Sequence, residues 1–101
     1  MFSLLVRFTV RPGHLEAFDA LVADTIREIR AHEPDTVIYL SHRRDGHDDE
    51  RVFYEAYRDH DAFVHHESTP HTRHFLAERG QHLVGDPEVW RLTSLDGPDG
   101  R

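Results

Sequence analysis

The sequence predicts an α+β fold of the ferredoxin-like type, with the element order β-α-β-β-α-β and helices on one face of an antiparallel sheet. Three observations support this prediction. Segments in which apolar and polar residues alternate, as in strands, occur at four places. Segments with apolar residues at three- and four-residue steps, as in helices, separate them. The second and third strand segments are so close in sequence that they must be antiparallel neighbours.

The first strand and the first helix have clear boundaries in the sequence. Residues 2–10, FSLLVRFTV, alternate, so that the even-numbered positions form a fully apolar face. Pro12-Gly13 ends this strand. Residues 14–32 then show helical periodicity, and Pro34 ends the helix because the residue before a proline avoids the helical region.

A hairpin follows the helix. Residues 36–44, TVIYLSHRR, and residues 51–57, RVFYEAY, read as two strands. The loop between them, residues 45–49, begins with an Asp-Gly pair, which is typical of hairpin turns.

The second helical region, from residue 59 to about residue 79, is predicted to be broken in the middle. Asp59 is a good N-cap for a helix that starts at the next residue. Thr69 is predicted to cap a second helix, with Pro70 at its first position, where the missing N–H is not needed.

The last strand is predicted over residues 88–95, which completes a single domain over residues 1–95. The tail, residues 96–101, is predicted to be disordered. The sheet face away from the helices includes Leu5 and Thr9, and such a half-apolar face needs a cover on a small domain. The simplest cover is a second copy of the chain, which predicts a homodimer.

Composition excludes several classes of function. The 101 residues carry a formal net charge of −7, which disfavours binding to nucleic acid or to an anionic membrane. The chain has no Lys, which excludes Schiff-base chemistry, and no Cys, which excludes disulfides and thiolate metal sites. The lack of cysteine, of a signal peptide and of a long apolar segment predicts a cytoplasmic protein.

Several short motifs together resemble the antibiotic biosynthesis monooxygenase family, in its quinol monooxygenase branch. They cover about residues 3–93 and are Arg11-Pro12-Gly13 before the first helix, Glu33-Pro34 followed by Tyr39, the segment 53–57 (FYEAY), Ala62-Phe63 before His66, and Thr69-Pro70-His71. The resemblance implies a dimeric α/β barrel with a substrate pocket between sheet and helices. It also implies oxidation of a quinol or polyphenolic aromatic, including polyketides, by O₂ with no bound cofactor.

Such chemistry needs a general base, for which His66 is the candidate, since an imidazole changes protonation near neutral pH. Glu55 lies in an otherwise apolar strand and is a candidate to orient or tune His66, and the alternative is a structural ion pair with Arg7 or Arg91 across the sheet. One of these two arginines is also a candidate to stabilise negative charge on the substrate. Which one faces the pocket depends on strand register.

Aromatic side chains on three strands are candidates to hold the substrate ring. They are Tyr39, Tyr54 and Trp90. His71 matches a second histidine position of the family and is a candidate substrate-binding residue. The alternative for each of these residues is an ordinary role in the core, at an interface or in capping a helix.

A metal site is not predicted. The histidine-rich stretch comprises His65, His66, Glu67, His71 and His74, but Pro70 interrupts its helical register and no zinc-binding motif is present.

Two other functions remain open from the sequence. An isomerase similar to autoinducer-2 isomerase would use the same His–carboxylate pair without O₂ and would need a small polar pocket. A non-catalytic binding or accessory protein would have its pocket filled, since a cavity well below about 300 Å³ could not hold a drug-sized aromatic. The resemblance implies that heme-degrading members of the family place an Asn amide in their pocket. This chain has no Asn, which disfavours a heme-degrading role.

Overall fold

A computed structural model describes residues 1–98 of the chain. The strands are β1 (Phe2–Thr9), β2 (Thr36–Arg44), β3 (His47–Tyr57) and β4 (Glu88–Leu92). The helices are α1 (Leu15–His32), α2 (His60–Ser68) and α3 (Pro70–Glu78), and a 3₁₀ helix (Arg79–His82) continues from α3. None of the helices in this part of the chain is both long and apolar enough to cross a membrane.

The four strands form one antiparallel sheet in the order β2-β3-β1-β4. This is the arrangement of the ferredoxin-like fold, so the predicted fold class is confirmed. The two central strands, β1 and β3, are the first and third in sequence, and they carry all the buried side chains of the sheet.

The core lies between the helices and the apolar face of β1 predicted from the alternation. Phe8 on β1 packs against Phe53 on β3, with ring centroids 4.6 Å apart. Phe18 from α1 and Phe75 from α3 complete an aromatic cluster, at 5.4 and 6.2 Å from Phe8. Rings of this size supply much of the apolar area that a short domain can bury.

The break between α2 and α3 occurs where the sequence predicts it. Asp59 caps α2 by accepting a hydrogen bond from the backbone N–H of Ala62 at 2.8 Å. Thr69 ends α2 and also caps α3, because its hydroxyl accepts from the N–H of Thr72. The same hydroxyl lies 2.9 Å from the carbonyl of His66, to which it donates.

Two boundaries differ from the predictions by three residues or more. Strand β3 starts at His47 rather than at residue 51, since Asp45-Gly46 alone makes the turn and Gly46 adopts a positive φ of 81°. Strand β4 ends at Leu92 rather than at residue 95. Part of the predicted disordered tail, residues 99–101, lies outside the described residues.

The sheet face away from the helices is partly apolar. Its exposed large side chains include Leu40, Trp90 and Leu92, which are 53%, 44% and 41% exposed. Charged side chains border them, with Arg7 donating to Glu50 at 3.1 Å.

The shared cap at Thr69 gives a test of how the two helices are held. Replacing Thr69 by Val removes the hydroxyl from a buried position, and the variant should lose about 1 kcal/mol of unfolding free energy. Thr69→Ser keeps the hydroxyl and should retain most of that stability. Urea unfolding of both variants measures the difference, and equal stability of the two would show that the cap contributes nothing.

Candidate active site

A cavity of about 160 Å³ lies between the sheet and the pair α2–α3. Aliphatic and phenylalanine side chains from β1, α2, α3 and β4 form most of its wall. Five residues contribute polar groups, and they are Tyr39, Glu55, His66, Glu67 and Arg79. The cavity is therefore apolar, with a few polar groups converging on it, which is typical of small-molecule sites.

His66 is the buried histidine of this cavity, and a carboxylate orients its ring. It lies in the last turn of α2 with 4% of its surface exposed. Its Nδ1 lies 2.7 Å from Oε1 of Glu33. An ionised carboxylate can only accept, so Nδ1 donates, and in the neutral form of the ring the lone pair then lies on Nε2. Within residues 1–98, Nε2 has no hydrogen-bond partner.

Glu33 ends α1, and its carboxylate accepts hydrogen bonds from three elements. Pro34 follows it and keeps it out of the helical conformation. Besides His66, the hydroxyl of Thr36 donates to Glu33 at 2.7 Å, and Nε2 of His71 donates to its other oxygen. Burial alone would raise the pKa of Glu33, but these hydrogen bonds and the charge of His66 outweigh it and lower the pKa from 4.5 to about 2.

Glu55 lines the cavity, but it is not the group that orients His66. Its carboxylate accepts a hydrogen bond from the hydroxyl of Tyr57 at 2.5 Å, and no arginine pairs with it within the described chain. Burial raises the pKa of Glu55, against the opposing effects of Tyr57 and His66, and this favours its uncharged form. The predicted contact between Glu55 and His66 is thus replaced by the contact between Glu33 and His66.

Tyr39 and Arg79 add two further polar groups to the cavity wall. Tyr39 packs against His66, with ring centroids 5.4 Å apart, and burial raises the pKa of its hydroxyl well above the usual value, so that it stays a neutral donor. The guanidinium of Arg79 lies over the rings of Phe8 and Phe75, 5.8 Å from each centroid. Neither side chain forms a hydrogen bond with another residue of the described range.

The predicted arginines lie elsewhere. Arg7 is on the opposite face of the sheet, where it bonds Glu50 and Glu88. Arg91 is opposite Leu4 in the register, on the helix side, but its guanidinium stacks on Phe2 at 4.4 Å and does not line the cavity. Neither of the two predicted arginines lines this cavity, whereas Arg79 does.

Tyr54 and Trp90 also lie on the opposite face of the sheet. Both pair with Leu5 in the register, and adjacent paired residues point to the same side. Leu5 lies between Leu4 and Val6, which line the cavity, so the side chain of Leu5 points to the other face of the sheet. Tyr54 and Trp90 point to that face with it and cannot reach the cavity. The prediction that Tyr54 and Trp90 hold the substrate ring is wrong for a cavity on the helix side, whereas Tyr39 does line it.

His71 faces a different space from His66. It borders a cleft of about 610 Å³ on the outside of the helices, together with His32, His65 and His74. It reaches the interior only through Glu33, so it supports the site and does not contact a ligand in the cavity. Among residues 1–98, no three histidine or acidic side chains are placed to hold a metal ion.

This arrangement can abstract a proton from a ligand in the cavity. Glu33 holds the tautomer and orientation of His66, while Nε2 is left for the ligand. Tyr39 can donate a hydrogen bond, and the apolar wall strengthens electrostatic interactions by excluding water.

Comparison with known proteins gives the family. Residues 1–78 match the family described as antibiotic biosynthesis monooxygenase. The chain belongs to this family. The predicted family is thus confirmed, while the quinol branch stays a prediction. No curated protein matches the chain.

Solved structures of antibiotic biosynthesis monooxygenase proteins share the fold. A Caulobacter crescentus protein, named as a candidate antibiotic biosynthesis monooxygenase, is 22% identical with a TM-score of 0.88, over 94% of this chain and 90% of its own. A Mycobacterium tuberculosis protein is 28% identical with a TM-score of 0.87, over 95% and 96% of the two chains. A Nitrosomonas europaea protein with the same candidate name is 20% identical with a TM-score of 0.86, over 95% and 100%.

Two residues of the site are missed by sequence reasoning. Glu33 reads as a helix terminator because it precedes Pro34, yet the same Glu-Pro pair is one of the motifs of the resemblance. Arg79 reads as the end of a helix near Gly80. Arg79 lies four residues after Phe75, and this spacing puts both side chains on one helix face. That spacing is the sequence feature that could have identified Arg79.

Acid titration tests the buried carboxylate. The pKa of Glu33 in the folded state is below its value in the unfolded chain, so the unfolded chain binds the proton first as the pH falls. The stabilisation, about 3 kcal/mol for such a shift, is complete above about pH 5 and is lost as the pH falls toward 2. Wild type should therefore exceed Glu33→Gln in stability at pH 7, with a gap that narrows by pH 3.

Urea unfolding at several pH values measures this gap. Glu16→Gln changes an exposed glutamate in the first turn of α1 and is the matched control, with a smaller loss of stability at pH 7 than Glu33→Gln. If the unfolding free energies of wild type and Glu33→Gln changed with pH in parallel, they would contradict a lowered pKa of Glu33 in the folded state.

Proposed function

We propose that this protein is a cofactor-independent monooxygenase that oxidises a small quinol with O₂, using His66 as the general base. One observation carries the proposal. A histidine that lines an apolar cavity is held at Nδ1 by a buried carboxylate, and its Nε2 has no hydrogen-bond partner within residues 1–98. That combination is what removal of a phenolic proton requires.

The reaction balances without an external reductant. His66 takes the proton of one ring hydroxyl at Nε2, and the electron-rich phenolate can then transfer electrons to O₂. One oxygen atom forms a bond to a ring carbon, and the other leaves as water with two hydrogens from the substrate. A hydroquinone and O₂ thus give a hydroxyquinone and water, and the proton held by His66 returns during loss of water.

The size of the cavity limits the substrate to one ring. A cavity of about 160 Å³ is close to the roughly 150 Å³ that is known to hold a benzene molecule in a protein core. A polycyclic polyketide is too large for it. The proposed substrate is therefore a single-ring quinol, which is narrower than the class that the sequence predicts.

Two neighbours of His66 suit this chemistry. Tyr39 stays a neutral donor and can hydrogen-bond the oxygen that loses its proton. Burial raises the pKa of Glu55, which weakens the tendency of this carboxyl to carry a negative charge beside the phenolate. Its proposed part is to tune the cavity electrostatically, while Glu33 orients the base.

An isomerase is the second candidate, and the cavity volume favours it. A small cavity with several polar groups fits a small hydroxyketone, and His66 could move a proton between adjacent carbons without O₂. Such an enzyme would exchange a substrate C–H proton for solvent deuterium in the absence of oxygen, which the monooxygenase would not need. The volume also lies below the roughly 300 Å³ that a drug-sized aromatic needs, which fits the non-catalytic alternative. Against that alternative, the polar groups of Tyr39, His66 and Arg79 converge on a cavity that core side chains leave open.

Oxygen uptake with substituted hydroquinones tests the base. His66→Gln should lower the enzyme-dependent rate at least about 100-fold, since the variant cannot accept the proton. His65→Gln changes the exposed histidine next to it and should leave the rate within about twofold of wild type. Unchanged uptake in His66→Gln would refute the assignment of the base, and no uptake above autoxidation in wild type would refute the monooxygenase.

We also propose that two copies pair through the open sheet face, where Leu40, Trp90 and Leu92 are exposed. Sedimentation equilibrium should give twice the chain mass of 11.8 kDa for wild type. Leu40→Asp should shift the protein toward the monomer. Val64→Asp alters a similarly exposed residue on α2 and should not. A monomeric wild type would contradict the dimer.

A further inference from the structure

Arg79 is a partly buried cation in the cavity, and no residue of the described chain pairs with it. It begins the 3₁₀ helix after α3 and lines the cavity on the same side as Phe75. Within residues 1–98, none of its nitrogens forms a hydrogen bond or an ion pair. Arg51, by contrast, pairs through two nitrogens with the carboxylate of Asp19, at 2.8 and 3.0 Å.

The acidic side chains near Arg79 do not neutralise it. Glu55 accepts the hydroxyl of Tyr57, and burial favours its uncharged form. Glu67 and Asp86 are exposed to solvent and act on Arg79 only through space. Burial of the guanidinium is the largest effect on the pKa of Arg79 and lowers it, and the guanidinium packs over the rings of Phe8 and Phe75 rather than against a carboxylate.

An unpaired guanidinium in such a place is suited to a ligand. Its planar set of N–H donors matches the two oxygens of a carboxylate, and such a pair is strongest where water is partly excluded. The apolar wall and the volume already fit one aromatic ring, and Nε2 of His66 faces the same space.

We propose that Arg79 binds a carboxylate on the substrate, so that the cavity accepts a hydroxylated single-ring aromatic acid. This inference rests on the proposed function for the chemistry at the ring, but it concerns binding, which is measurable without turnover. Arg79 is then the residue that selects an aromatic acid over the uncharged quinol.

Calorimetric titration under anaerobic conditions tests the selection with three probes. They are 2,5-dihydroxybenzoate, its methyl ester and hydroquinone, which share the ring and differ in the carboxylate. Wild type should bind the acid at least about tenfold more tightly than the other two, as expected for a charge-assisted pair. Arg79→Gln should bind all three alike, and Arg79→Lys should keep part of the preference.

Two control variants separate this inference from the proposed function. Arg73→Gln removes an exposed arginine of α3 and should keep the full preference for the acid. His66→Gln should also keep it, even if oxygen uptake is lost. If wild type binds the acid no better than its ester, or binds none of the probes, the inference is overturned whatever the uptake shows. A preference for the acid that survives in Arg79→Gln also overturns the inference. If that variant does not fold, the comparison of acid and ester binding to wild type decides.

Discussion

The buried carboxylate of Glu33 is the interaction on which the site depends. One negative charge at the end of α1 receives donors from the start of β2, from α2 and from α3. A buried charge is tolerated only when hydrogen bonds replace the water it has lost, and here three donors do so. The same bonds fix the ring of His66 and tie two short helices to the long one. Support of the fold and orientation of His66 are therefore one set of contacts.

The fold could be predicted almost entirely from the sequence, because its signals are local. The alternation in β1, the Asp59 cap and the Thr69-Pro70 break each act within a few residues, and each appears in the structure. The shorter hairpin loop was missed because the polar run at residues 47–50 does not resemble a strand, although pairing with its neighbours makes it one.

The site was only partly predictable, because it depends on pairing between distant elements. His66 and Tyr39 do lie together, but the partner of His66 is 33 residues away, and nothing in local patterning identifies it. Tyr54 and Trp90 show the effect of the alternation of side chains between the two faces of a strand. Each is one residue from a position that faces the helices, and one residue is enough to put a side chain on the other side of the sheet.

The two parts of the cavity wall come from different sources. The polar cluster around Glu33 is built by the ends of helices, whereas much of the apolar wall comes from Val6, Leu76 and Val89, none of which bonds that cluster. Substitutions at those apolar positions can enlarge or reshape the space without removing a donor from the carboxylate. The architecture thus separates the contacts that hold His66 from the shape of the space beside it, so substitutions in the wall can change that space while the histidine–carboxylate pair stays as it is.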